Sequence, residues 1–253
     1  MQPPNASEMP RFRLGLVLWL AGMLGVVVIT VTVLPQIMEM VVIPAPLWAV
    51  SLASLAQSSV FLALAVWAGV ALGPAVGLRA PAFESAVTNR PLAPALRAQL
   101  LPGLAAGVLA GVLLLVVGRY APAALVEVQE RFELPILARL LYGGITEELL
   151  LRWGLMTVLV WLAWRFLQHR RGSPGAAFIW LAIGVSALLF GAGHLPAAAA
   201  LVGELTGEVV AFVVVANTAF GVLFGYLFWR YGLEAAMIAH AMAHLVSYVA
   251  GLL

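Results

Sequence analysis

Three charged side chains, Glu147, Glu148 and Arg152, interrupt a segment otherwise apolar enough to lie in a bilayer. On a helix turning about 100° per residue, Glu148 and Arg152 are i,i+4 neighbours and can pair, while Glu147 points about 100° away and stays free. A free carboxylate can take a proton from water as a general base. The same residues could instead be a structural Glu–Arg pair holding a bundle together, and taken alone they leave both readings open. Further along, Phe190 and His194 stack at i,i+4 with Gly191 and Gly193 leaving room beside them. His240 and His244 repeat that spacing, which suits two ligands of a metal ion and equally an acid/base and oxyanion-donor pair. A lone His at a helix end is usually a packing residue. Here three of the four histidines fall in such patterns, which argues against packing alone. The fourth, His169, lies in a basic loop beside Arg170 and Arg171 and is assigned no role.

The elements that must position these groups are membrane spans. Hydrophobic residues make up 64% of the 253 and charged residues 9%, with a mean hydropathy of +1.06, far from the composition of a soluble domain. The expected fold is all-α: a polytopic transmembrane helical bundle of about seven to eight spans, one domain over residues 1–253 with a cytoplasmic tail at 1–13. The runs lie near Leu14–Leu34 (closed by Pro35), Leu47–Leu72, Leu100–Gly118, Leu134–Trp164, Ala176–His194, Glu208–Trp229 and Leu233–Leu253. Gly103, Gly107 and Gly111 form a stripe that lets another helix approach closely. Every cation is Arg and every acid Glu, and the small net charge of +2, scattered through loops, speaks against nucleic acid as a partner. The absence of Cys rules out disulfides, thiolate metal sites and a Cys nucleophile.

Charges near helix ends orient the bundle, because cationic loops stay in the cytoplasm. Threading seven spans puts Arg11, Arg13, Arg79, Arg90, Arg97, Arg165, Arg170, Arg171 and Arg230 on one side and Arg119 and Arg131 on the other, so the N-terminus is expected inside. Glu39, Glu204, Glu208 and Glu234 are expected to be exposed near membrane boundaries. Asn217 and Thr218 are expected to hydrogen-bond between helices. Trp153, Trp161, Trp164, Trp180 and Trp229 read as an interfacial belt. The sequon Asn5-Ala6-Ser7 is taken as chance. His240 follows Arg230 by about ten residues, whereas Glu147 precedes Arg165 by about 18, roughly 27 Å along a straight helix, so one helix must tilt, break or start late for these groups to meet.

In order, Glu147-Glu148-x-x-x-Arg152, Phe190-x-x-x-His194, and His240 with a polar residue four positions on resemble the CAAX protease and bacteriocin-processing family of intramembrane proteases. The context Gly232 to His240 is similar to bacterial members, and the likeness covers residues 143–251. It implies an intramembrane endopeptidase acting on a membrane-associated protein or peptide. Glu147 would activate a water that His194 helps to hold, Glu148 and Arg152 would support the site, and His240 with residue 244 would stabilise the oxyanion or complete a metal site. The family usually has Asn or a similar polar residue at the last position. His244 there raises the prospect of a Zn2+ ion held by Glu147, His194, His240 and His244, beside a metal-free glutamate mechanism. The other readings are a non-proteolytic immunity or scaffold protein and a Glu/His-lined transporter. The expected location is a bacterial cytoplasmic membrane, where prenylated CAAX proteins are not the expected target.

Overall fold

The computed structural model describes residues 10–41, 43–132 and 134–252, and the side chains of all of these except Gln129 and Glu130. Asn5-Ala6-Ser7 and most of the N-terminal tail lie outside the described residues. The described chain is helical with no strand. Its elements are α1 (Arg11–Thr32), α2 (Leu34–Met40), α3 (Leu47–Val76), α4 (Pro81–Val87), α5 (Leu92–Gly118), α6 (Ala123–Arg131), α7 (Ile136–Leu167), α8 (Ala176–Gly193), α9 (Leu195–Val202), α10 (Gly207–Tyr231) and α11 (Leu233–Gly251). Among the described residues seven segments are long and apolar enough to cross a membrane, with α1–α2 and α8–α9 each counting as one. The protein is an all-α polytopic bundle.

Pro35 does not close the first span. It stands in the first turn of α2, where a missing N–H costs nothing, so the chain kinks at Val33 and continues to Met40. Arg11 and Arg13 are already helical, which shortens the tail. The 32-residue α7 is one continuous helix whose turns at Arg139–Glu147, Leu149–Met156 and Ala163–Leu167 are π-helical, a form that recurs at functional sites. Trp153 is no belt residue: it is 1% exposed and packs edge-on against Phe228 at 6.2 Å between centroids. Trp180 does lie at the lipid surface, stacked on Tyr226.

The glycine stripe of α5 receives α11, the helix that carries His240 and His244. A Cβ at Gly107 would stand 2.5 Å from Met242 Cβ and 2.7 Å from the Ala239 carbonyl, so only glycine lets the two backbones meet there. The start of α11 explains how His240 reaches Glu147. Gly232, at φ +117°, is the one residue between α10 and α11, and the turn is buried rather than solvated. Leu233 N–H donates to Arg79 O (3.0 Å), and Ala235 N–H donates to Gln99 Oε1 (3.1 Å). Glu234 Oε1 accepts from the N–H groups of Ala82 and Phe83 at 2.8 and 2.9 Å. Glu234 is 5% exposed, against the expectation that it faces solvent. The helix therefore starts from a buried turn packed against α4.

Gly107→Val should displace α11. Overpacking at such a contact costs about 1–3 kcal/mol, and the expected result is a lowered melting temperature in detergent together with loss of activity. An unchanged melting curve would contradict this packing.

Candidate active site

The six side chains singled out by type and spacing come from α7, the α8–α9 junction and α11. Glu148 is fully buried and Arg152 1% exposed; their Oε1–Nη1 separation is 3.1 Å. Arg152 also donates from Nη2 to Gly221 O on α10 (3.2 Å), and its guanidinium lies 4.7 Å from the Phe190 ring and 5.5 Å from the Phe224 ring. His240 Nδ1 stands 2.8 Å from Glu148 Oε1. A carboxylate accepts, so His240 donates from Nδ1 and its Nε2 is free to face elsewhere. It faces Glu147, 3.9 Å from Oε2. His194 mirrors this: Nδ1 donates to Phe190 O (2.8 Å), and Nε2 stands 3.9 Å from Glu147 Oε1. The backbone makes the second arrangement, because His194 sits between α8 and α9, where Pro196 starts a new helix and the chain bends.

Glu147 thus stands between two imidazole nitrogens at distances too long for direct hydrogen bonds and suitable for a bridging water. It is partly open, with 17% of its side chain exposed, whereas Glu148 is sealed. The division of the pair into one neutralised and one free carboxylate, read from helical spacing, is what the geometry has. Glu147, His194, His240 and His244 line one cavity of about 390 Å³, walled mostly by apolar side chains including Ile29, Val33, Leu134 and Phe220.

His244 is brought to the cavity wall but not into the hydrogen-bonded set. Its ring stacks on His240 at 5.0 Å and 27°, and its Nδ1 is buried without a hydrogen-bond partner among the described residues. Its Nε2 lies beside Gly143, where a Cβ would be 2.9 Å away, so Gly143 makes room for the histidines while Gly144 makes room for Ala241. Among the described residues no group of three or more His, Cys, Asp or Glu is placed to hold a metal ion. Two ligands of a tetrahedral zinc stand about 3.3 Å apart; the 3.9 Å separations around Glu147 and the stacked His240 and His244 rings do not fit that arrangement as they stand.

Three cavity residues went unassigned or misread in the sequence. Arg139 donates from Nε to Leu134 O (2.9 Å) and sits 5.9 Å from the centroid of Tyr248, at the cavity wall. Tyr142 lines the cavity beside it. A charge within the apolar run before Glu147 was the signal that could have found Arg139. Asn217 also faces the cavity; its amide donates to Val213 O of its own helix (2.8 Å) rather than across helices. Thr218 Oγ1 is buried without a hydrogen-bond partner among the described residues, not bonded between helices as the sequence led one to expect.

Residues 130–246, which contain all six of these site residues, match the family model described as type II CAAX prenyl endopeptidase Rce1-like. No curated protein and no solved structure matches the chain.

Removing one partner of a buried ion pair leaves the other charge uncompensated, at about 3–5 kcal/mol. Arg152→Ala should therefore lower the melting temperature steeply, while the double variant Glu148→Gln/Arg152→Met should recover most of the loss. Equal destabilisation by single and double variants would contradict a coupled pair.

Proposed function

Over residues 130–246 this chain belongs to the Rce1-like CAAX prenyl endopeptidases, part of the CAAX protease and bacteriocin-processing family, and from that membership we propose that it is an intramembrane endopeptidase in which Glu147 activates a water. The observation that carries the reading is the free carboxylate of Glu147 between the Nε2 atoms of His194 and His240, 3.9 Å from each, in a cavity walled mostly by apolar side chains. The family supports peptide hydrolysis in the membrane; the division of labour among the residues is our reading of the distances.

A water between Glu147 and His194 would be held by both, its proton passing to Glu147 as its oxygen attacks the scissile carbonyl. The new C–O bond pushes charge onto the carbonyl oxygen, and a donor must meet it. His244 on the cavity wall would supply that donor from Nε2, and His240, whose Nδ1 proton is committed to Glu148, would offer an Nε2–H only as an imidazolium. With Nδ1 of His244 buried and unpartnered, its neutral form can keep the proton on Nε2. The Glu148 carboxylate beneath His240 fixes that ring and stabilises an imidazolium should His240 protonate. Collapse of the intermediate breaks the C–N bond, and Glu147 returns its proton to the leaving nitrogen.

Positioned general acid–base groups contribute about 10²–10⁴-fold. Glu147→Gln should reduce cleavage of a membrane-associated reporter peptide by that factor while leaving the melting temperature within a few degrees, since Glu147 is not in the buried pair. Full cleavage by this variant would remove the reading. Metal analysis of active protein separates the glutamate mechanism from a metallopeptidase: we expect cleavage to persist in chelator with no stoichiometric metal, and loss on chelation with recovery on adding Zn2+ would assign the ion to Glu147, His194, His240 and His244.

A further inference from the structure

The cavity is closed towards one end of the bundle and extends to the other, and the charges distinguish these ends. Below Glu148 and His240 the path towards the end that holds Arg79, Arg165 and Arg230 is filled by Trp153, Phe228, Leu78, Leu233 and Gln99, each at most 1% exposed. The buried turn at Gly232 and α4 lie over that plug. In the opposite direction the cavity wall continues past Glu147 to Ile37 of α2, Phe132 and Leu134 before α7, and Leu201 of α9. A second cavity shares Phe132, Arg139 and His244 with the first and runs on to Gly118, Arg119 and Leu125. Glu147 itself is 11 residues from Ile136 and 20 from Leu167, roughly 16 Å from one end of its helix and 30 Å from the other.

The end onto which the cavity extends is the arginine-poor one. Of the thirteen arginines, Arg119, Arg131 and Arg139 lie there, Arg152 is in the core, and the other nine are at the plugged end. Arginine counted in short loops near span ends sets orientation, with the richer side retained in the cytoplasm. All the connecting loops here are short enough for that rule to apply.

We infer that the site takes its substrate from the non-cytoplasmic side: a peptide segment presented at the outer leaflet, such as the outward-facing end of a membrane-anchored or exported peptide, rather than a cytoplasmic lipidated tail. This rests on the protease reading for what happens to the segment, but not for where it comes from. A segment from the cytoplasm would have to displace Trp153, packed on Phe228, and the contacts of Glu234 that anchor the start of α11 to α4. A segment from the outer side meets open cavity and Arg139 on its way to Glu147.

The chain has no cysteine, so single-cysteine variants report sidedness without background. Glu204→Cys at the arginine-poor end, Ser173→Cys at the arginine-rich end and Ala197→Cys on the cavity wall would each be produced in the full-length chain in bacterial membranes and treated with the impermeant thiol reagent MTSET. We expect Glu204→Cys and Ala197→Cys to react in right-side-out vesicles and Ser173→Cys only in inverted ones. Reversed labelling of Glu204→Cys and Ser173→Cys, labelling of both in both orientations, or reaction of Ala197→Cys only in inverted vesicles would each overturn the inference. These labels read access and not cleavage. A chain that labels as expected yet cleaves nothing removes the protease reading and leaves the sidedness of the cavity standing.

Discussion

The buried contact of Glu148 with Arg152 and His240 is the constraint from which the rest of the site follows. A carboxylate with no exposed surface is tolerable in a bilayer only with compensating charge and donors, and these are Arg152 from α7 itself and His240 from α11, while the Gly221 carbonyl of α10 accepts a further hydrogen bond from the guanidinium. Because Glu148 Oε1 meets both Arg152 and His240, the ion pair is also what fixes the His240 ring and its tautomer. That orientation aims Nε2 at Glu147. A pair that contributes little net stability against an apolar substitute thus determines where the reactive carboxylate finds its neighbours.

Much of this was legible in the residues. The i,i+4 arithmetic separated Glu148 from Glu147 correctly even though the turns there are π-helical, because a long guanidinium side chain tolerates the altered pitch. The Gly103–Gly107–Gly111 stripe announced a close helix contact, and α11 fills it. Spacing could not say which side of a helix would be buried by tertiary packing. Trp153 looks like a belt residue from its place in the chain and is instead core, packed on Phe228. Asn217 looked like an interhelical bond and turns to the cavity, because its own helix already supplies a carbonyl for its amide. Glu234 was misjudged for a related reason. A carboxylate at a span boundary meets solvent only if the boundary does, and here the boundary is covered by α4.

The signal for that burial was present in the connection length. The apolar runs ending at Trp229 and beginning at Leu233 leave only Arg230, Tyr231 and Gly232 between them, and in the structure Gly232 alone, itself buried, joins α10 to α11. The last N–H groups of such a turn need internal partners. Arg79 O and Gln99 Oε1 accept from α11, while Glu234 returns acceptors to α4, so both helix starts are satisfied reciprocally by residues distant in sequence.

That arrangement also makes the cavity one-sided. Burying the start of α11 against α4 sets His240 beside Glu148, and the space on that side is filled by Leu233, Gln99, Phe228 and Trp153. Above Glu147 no equivalent demand exists: α2 and α9 are short helices set off from their spans at Val33 and His194, and α9 packs against both α2 and α6, leaving a gap between elements rather than a packed core. The depth of the histidine and the direction of the opening are therefore two results of one folding solution.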